Sequence, residues 1–351
     1  MARPVLQHTK SGLPYPERVA YIGIAKGLLI VFVVFGHAWQ AVFNNNILHD
    51  ANIYHMVNGW IYSFHMPAFF FISGIFAMQS AQRSIGNFIL RKLQTIAYPF
   101  VLWSVLQLLL QLLVAESTTN TMTMVDFLKI PIEPIMQFWF LYALFFIFLF
   151  FVVLKQITSS RTICLGVGIL LFIVLQLGHG TGCLVFIYLA GNFIYFSAGI
   201  FCSEFLVFYI MKNWPGSHRL FFFALLLFLV SIIIQPGSSK LSPEIYSWMQ
   251  PLVAMLGIGF VLLASLFLFS ISKTISSIFM FLGNRSLEIF VAHIIFSAGF
   301  RIAAIQIAEV NSVSVHLLGA TAAGLAGPVL LVSLANRFGL RYMFTWPANV
   351  I

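Results

Sequence analysis

Charge is what this sequence has least of. Only 8% of its 351 residues are Asp, Glu, Lys or Arg and 61% are hydrophobic, whereas ordinary soluble domains carry about 25% charged residues. A chain of this composition cannot cover a water-facing surface, which excludes a soluble globular protein. Cysteine is scarce too. Cys164, Cys183 and Cys202 lie in apolar runs without metal-ligand spacing, which excludes a disulfide framework and leaves small core residues. Period-two alternation is missing from the apolar stretches. Runs such as 221-FFFALLLFLVSIII-234 are continuous, so a membrane barrel is excluded and helices remain. No small-x-small cleavage site follows the first apolar stretch, which reads as a retained span rather than a signal peptide. There is no 20–50-residue repeat, low-complexity tract or separate soluble domain.

What is present is a series of hydrophobic windows of crossing length, roughly 20 residues each. They fall at about 19–42, 58–80, 95–114, 136–154, 162–178, 183–203, 219–235, 249–270, 286–308 and 315–334. The sequence therefore predicts an all-α polytopic membrane protein of about ten transmembrane helices. Its single membrane domain spans 19–334, between tails at 1–18 and 335–351. The positive-inside rule supports the count. With both termini cytoplasmic, the inner segments hold Arg3, Lys10, Arg18, Arg83, Arg91, Lys92, Lys155, Arg161, Lys212, Arg219, Lys273, Arg285, Arg337 and Arg341, against Lys129 and Lys240 outside. The net charge of +9 is thus a topology signal. No nucleic-acid partner is needed to explain it, because stacking aromatics do not interleave with the bases.

Within this apolar background, ionisable groups inside the spans mark function. The first span carries 26-KGLLIVFVVFGH-37. Lys26 and His37 are eleven residues apart, about three helical turns, so they share a face roughly 16 Å apart along the axis. Lys26 lies towards the inner boundary and His37 towards the outer one. The next span opens 64-FHMPAFFFISG-74, with His65 close to the expected depth of His37. Pro67 removes a backbone bond, and Ser73 and Gly74 permit close approach of a neighbouring helix. Two imidazoles at one depth point to a polar cavity suited to proton transfer. A membrane histidine can also simply bond a neighbouring helix, and Lys26 is near enough to the boundary to snorkel. His179 and His316, near span ends, are expected to be solvated.

Span nine supplies 281-FLGNRSLEIFVAH-293. Arg285 is at the inner boundary, Glu288 about one turn inside, and His293 roughly 8 Å deeper. A carboxylate at that depth needs a partner, for which Lys26 and Arg285 are the candidates; the pairing is either structural or catalytic. The segment 88-FILRKLQTIAYPFVLW-103, with Arg83, places Arg83, Arg91 and Lys92 where they either fix topology or meet phosphates. Arg91 is closest to the membrane edge.

The stretches 23-GIAKGLLIVFVVFGH-37, 64-FHMPAFFFISG-74, 91-RKLQTIAYPF-100, 138-FWFLYALF-145 and 282-LGNRSLEIFVAH-293 together resemble the acyltransferase type 3 family of integral-membrane acyltransferases, in its fucose 4-O-acetylase-like branch. The resemblance implies a ten-helix fold and transfer of an acyl group, usually acetyl, from cytoplasmic acetyl-CoA to a sugar hydroxyl. The acceptor would be a surface or exported glycan or a lipid-linked sugar, with polysaccharide-synthesis machinery as a partner. The setting would be a bacterial plasma membrane, the inner membrane in a Gram-negative cell. The family's basic-x10-His motif falls on Lys26 and His37. Gly23 departs from the branch, which usually has Asp there, and Glu288 is the candidate replacement.

The expected catalytic residues are accordingly His37 as general base, His65 sharing or orienting its proton, Lys26 and Glu288. Arg91, Lys92, Arg285, Asn284 and Ser286 are expected to hold the acyl-CoA, and no metal is expected. The pantetheine arm would thread past Lys26 to His37. The alternative class is a proton-coupled transporter of a sugar or organic acid, against which stands the lack of paired halves with corresponding broken helices.

Overall fold

The computed structural model describes residues 15–82, 84–113, 125–204, 217–234, 242–344 and 346. All regular structure among them is helical. Helix α1 (Tyr15–Asn44) is followed by α2 (Ala51–Ile75) and the one-turn α3 (Ala77–Ser80). Helix α4 (Ile85–Lys92) runs through a π-helical turn, Leu93–Ala97, into α5 (Tyr98–Leu113). Then come α6 (Val125–Lys129), α7 (Trp139–Ile157), α8 (Arg161–Gln176), α9 (Leu184–Glu204) and α10 (Ser217–Ile234). The series closes with α11 (Pro243–Ile271), α12 (Lys273–Asn284), α13 (Ser286–Gln306) and α14 (Val313–Arg337).

Among the described residues, seven helical stretches are long and apolar enough to cross a membrane: 20–44, 85–112, 136–157, 184–204, 244–271, 286–306 and 313–337. The other three windows read from the sequence fall on α2 and on the shorter apolar helices at 161–176 and 222–233. Helix α2 is 25 residues long, but its opening turns carry Asn52, His55 and Asn58, which lower its hydropathy. The turn between α8 and α9 is made by Gly178 and Gly180, at φ 81° and 75°, a backbone region where side chains are strained. Arg3, Lys10, Arg83, Lys212 and Lys240 of the sidedness argument lie outside the described residues.

Two features differ from the sequence reading. Cys183 is exposed rather than in the core, although Cys164 is buried. Helix α12, between the eighth and ninth windows, was not anticipated. It is 12 residues long with a lysine, a threonine and two serines, too short and too polar for a search window of crossing length. Ser272 starts it by accepting a hydrogen bond from the Ile275 amide. Ile275 and Ile278 of α12 are exposed.

Glycines set the helix crossings that position the centre of the molecule. A Cβ on Gly27 of α1 would strike the Phe279 carbonyl oxygen of α12, and one on Gly283 of α12 would strike the Gly23 carbonyl oxygen of α1. The two backbones therefore touch, and α13 begins just beyond the contact, beside α1. Gly74 of α2 and Gly199 of α9 meet in the same reciprocal way, each facing the other helix's carbonyl oxygen, Phe196 and Phe71 respectively. The close approach expected at Gly74 is made with α9. These crossings are the small-residue contacts by which helices associate in lipid, where burial of apolar side chains gives little net drive.

Candidate active site

Three helices bring four side chains together. The half-buried His37 ring of α1 lies 5.1 Å from the His293 ring of α13 and 6.1 Å, edge-on, from the Tyr62 ring of α2. Tyr62 in turn lies 4.7 Å from His65, one turn along α2. His65 and His293 are 1% and 0% exposed. The approach of α1 to α2 here is allowed by Gly36, whose missing Cβ would sit 3.3 Å from the Tyr62 ring.

Backbone carbonyls fix the tautomers of the two buried rings. His65 Nδ1 is 2.6 Å from the Ile61 carbonyl oxygen, and His293 Nδ1 is 2.8 Å from that of Phe290 and 3.1 Å from that of Ile289. A carbonyl oxygen only accepts, so in each neutral ring Nδ1 carries the hydrogen and Nε2 keeps the lone pair. Among the described residues, His293 Nε2 has no hydrogen-bond partner, and neither do the Tyr62 hydroxyl or Asn58 Oδ1, one turn before Tyr62 on α2. All three atoms are buried. An unmet buried polar atom costs about 1–3 kcal/mol, so each of these atoms is a place for a hydrogen-bonding group to bind. The arrangement offers a base, a second bare nitrogen and a phenol within one cluster.

Lys26 occupies the same face of α1. It is half-buried and within electrostatic reach of Glu288 on α13. Lys26 and His37 are therefore both paired with residues of α13, Lys26 by the charge of Glu288 and His37 by the ring of His293. The face between them is filled. Ile30 and Val33, 0% and 1% exposed, lie in that interval and belong to the same core as Ile289 and Phe290. An acyl donor running along this face has to part Ile30 and Val33 from the α13 side chains of that core, a barrier the open thread expected from the sequence does not include.

On the Lys26 side, two cavities of about 660 and 450 Å³ flank α4 and the π-helical turn. Arg91 and Thr95 line both. Lys92 lines the smaller one and holds its ammonium 3.5 Å from the centre of the Phe148 ring, a cation–π contact. The larger one continues to Leu287, beside Glu288 at the start of α13. Among the described residues, no acidic side chain lines either cavity.

A family model described as an acyltransferase domain, acyltransferase 3, matches residues 19–333, nearly the whole helical body. The chain belongs to the acyltransferase 3 family. Neither a curated protein nor a solved structure matches it. The chain is thus a multi-pass membrane acyltransferase, and the histidine cluster and the basic cavities are read in that light.

Of the residues expected to hold a donor in this acyltransferase, Arg91 and Lys92 reach the cavities, whereas Asn284, Arg285 and Ser286 are elsewhere. Asn284 is exposed at the end of α12, Ser286 is buried at the start of α13, and the Arg285 guanidinium lies 3.9 Å from the centre of the Phe281 ring. Sequence reasoning gave no role to Tyr62 or to the cavity residues Gln94, Thr95, Phe344 and Trp346. It noted the depth of His293 without assigning that residue a role. Tyr62 was signalled only by lying three residues before His65. A carboxylate at position 23 of the acyltransferase would point to α12, since a Cβ there meets Met280 Cγ at 3.3 Å. His316 is a correction. It is 1% exposed, not solvated, and its Nε2 is 2.6 Å from the Val310 carbonyl oxygen. Solvation holds for His179. Among the described residues, no three His, Cys, Asp or Glu side chains are grouped to hold a metal ion.

Proposed function

We propose that this acyltransferase moves an acetyl group from acetyl-CoA to a hydroxyl of a surface or exported glycan, with His37 as general base. The observation that carries the reading is the placement of the His37 imidazole between His293 and the Tyr62–His65 pair, beside three buried polar atoms that lack partners. A polyhydroxylated acceptor supplies what those atoms need. In the reaction, the acceptor oxygen attacks the thioester carbonyl while His37 removes its proton. The C–O bond of the ester forms, the C–S bond breaks, and the proton returns from imidazolium to the departing CoA thiolate. His293, with its bare Nε2, shares or relays that proton. Tyr62 and Asn58 orient the acceptor hydroxyls.

Lys26, held near Glu288, guides the donor between the basic cavities and the histidines. The donor enters from the cytoplasm, where the positive-inside sorting places α4 and both termini. Ten spans, a bacterial plasma membrane and the fucose 4-O-acetylase-like branch belong to the same reading. Their support is the order of the five motifs quoted above.

Two results are expected. Envelope glycans from cells with and without the protein should differ by acetyl groups in mass spectrometry; identical glycans would remove the proposed acceptor class. Tyr62→Phe should raise the KM for the acceptor several-fold, in line with the loss of one hydrogen bond of about 0.5–1.5 kcal/mol. It should leave the KM for acetyl-CoA unchanged. An equal change in both would show that Tyr62 acts by packing alone.

A further inference from the structure

The last described residues of the chain are tied back onto α5 and the π-helical turn before it. The Tyr98 hydroxyl donates to the Tyr342 carbonyl at 2.6 Å, and the Trp103 indole N–H donates to the Met343 carbonyl at 2.8 Å. Trp103 also packs on Phe344, with ring centres 5.2 Å apart, and Trp346 meets Tyr98 at 5.0 Å, edge to face. Residues more than 200 positions away in sequence are thereby fastened into a strap. The strap is one wall of the larger cavity, through Phe344 and Trp346. The π-helical turn, through Gln94 and Thr95, and Arg91 of α4 line it too. Such turns recur at functional sites because they break the regular ladder of a helix.

The chemistry of this cavity is specific. It combines a guanidinium, which binds phosphate oxygens in pairs, with amide and hydroxyl groups from Gln94 and Thr95. Trp346 is 41% exposed and, among the described residues, has Tyr98 as its one ring partner, so part of its surface is open to a stacking ring. No acidic residue among those described lines the cavity, and Arg91 also lines the second cavity, where Lys92 adds another positive charge. The volume of about 660 Å³ is in the range of small-molecule sites, about 300–1,000 Å³. A planar heterocycle joined to several phosphates fits this set of groups.

We infer that the strap cavity binds the nucleotide end of the acyl donor, with Trp346 stacking on the base and Arg91 holding phosphate. The inference rests on the proposed use of acetyl-CoA and goes beyond it, because it makes the C-terminal strap part of the donor site. At the other end of the cavity, Leu287 adjoins Glu288 and hence Lys26, so the arm of a donor seated here leaves towards α1 and the histidines.

The test uses the full chain in lipid nanodiscs and two donors, acetyl-CoA and S-acetylpantetheine, which lacks the nucleotide. Trp346→Ala should raise the KM for acetyl-CoA about tenfold, the loss expected for one base–aromatic stack. The KM for S-acetylpantetheine and both kcat values should stay within twofold. Trp346→Phe should restore most of the difference. Both strap anchors are backbone carbonyls held by Tyr98 and Trp103, so neither variant removes them. Direct binding of adenosine 3′,5′-bisphosphate, followed by calorimetry, should weaken to the same extent in Trp346→Ala. Equal KM changes for the two donors, or no change for either, would overturn the inference. If the wild type turned over neither donor, the proposed reaction would fail, and the bisphosphate titration would still decide the cavity. Wild type and Trp346→Ala binding it equally, displacement by anionic lipid alone, or no binding at all would count against a nucleotide site.

Discussion

Replacing His37 with alanine is expected to lower acyl transfer about 10²–10⁴-fold, the usual contribution of a positioned general base. Folding should be spared. His37 is only half-buried and makes ring contacts rather than filling the core, so extraction in detergent and thermal stability should match the wild type. His293→Asn is expected to be inactive for a related reason, since its Nε2 is the nitrogen nearest in role to His37. If the two rings handle one proton as a unit, the double variant should be no worse than the weaker single variant, as groups that act together are far from additive. Independent, multiplying losses in the double variant would assign the rings separate tasks. Full activity in His37→Ala would remove the proposed chemistry altogether.

The second large effect is on stability. Gly74→Val and Gly199→Val should each cut the yield of folded protein severely and lower the melting temperature in detergent by many degrees. At both positions a Cβ would run into a carbonyl oxygen of the facing helix. A backbone atom cannot rotate aside, so α2 and α9 must separate along their length. Overpacking typically costs about 1–3 kcal/mol, and here the contact is made twice, once from each helix. Gly23→Ala is the matched control. Its added methyl would meet only a side-chain atom, Met280 Cγ, at 3.3 Å, and a shift of a few degrees at most is expected. Comparable losses at Gly23 and Gly74 would show that helix propensity, not the crossing, governs these positions.

Much of this arrangement was legible in the sequence, for identifiable reasons. Continuous apolar runs specify helices in lipid, because every backbone group must be satisfied within its own segment. The eleven-residue spacing of Lys26 and His37 required a shared face, and the structure turns that face towards α13. Helix rise alone put His65 level with His37, and the structure links the two rings through Tyr62. Pairing across helices was not. Tyr62 joins His37 to His65 only because Gly36 lets α1 and α2 close together, and that depends on tertiary packing. The filling of the interval by Ile30 and Val33 follows from the same periodicity that aligned Lys26 with His37, but apolar residues in a span carry no signal of being a barrier. The strap is the clearest illegible feature. Its contacts join Tyr98 and Trp103 to Tyr342 and Met343, and no local pattern encodes such distant partners. Helix α12 escaped because its 12 residues are shorter than any spanning window.

The most direct measurement follows a labelled acetyl group. The purified protein is placed in liposomes with acetyl-CoA labelled in the acetyl carbon and with glycan extracted from the envelope of the cells that make it. Free CoA and labelled glycan should form in equal amounts with the wild type, and neither should form above background with His37→Ala. Glycan or organic acid crossing the membrane with no CoA released would instead identify a transporter and contradict the account.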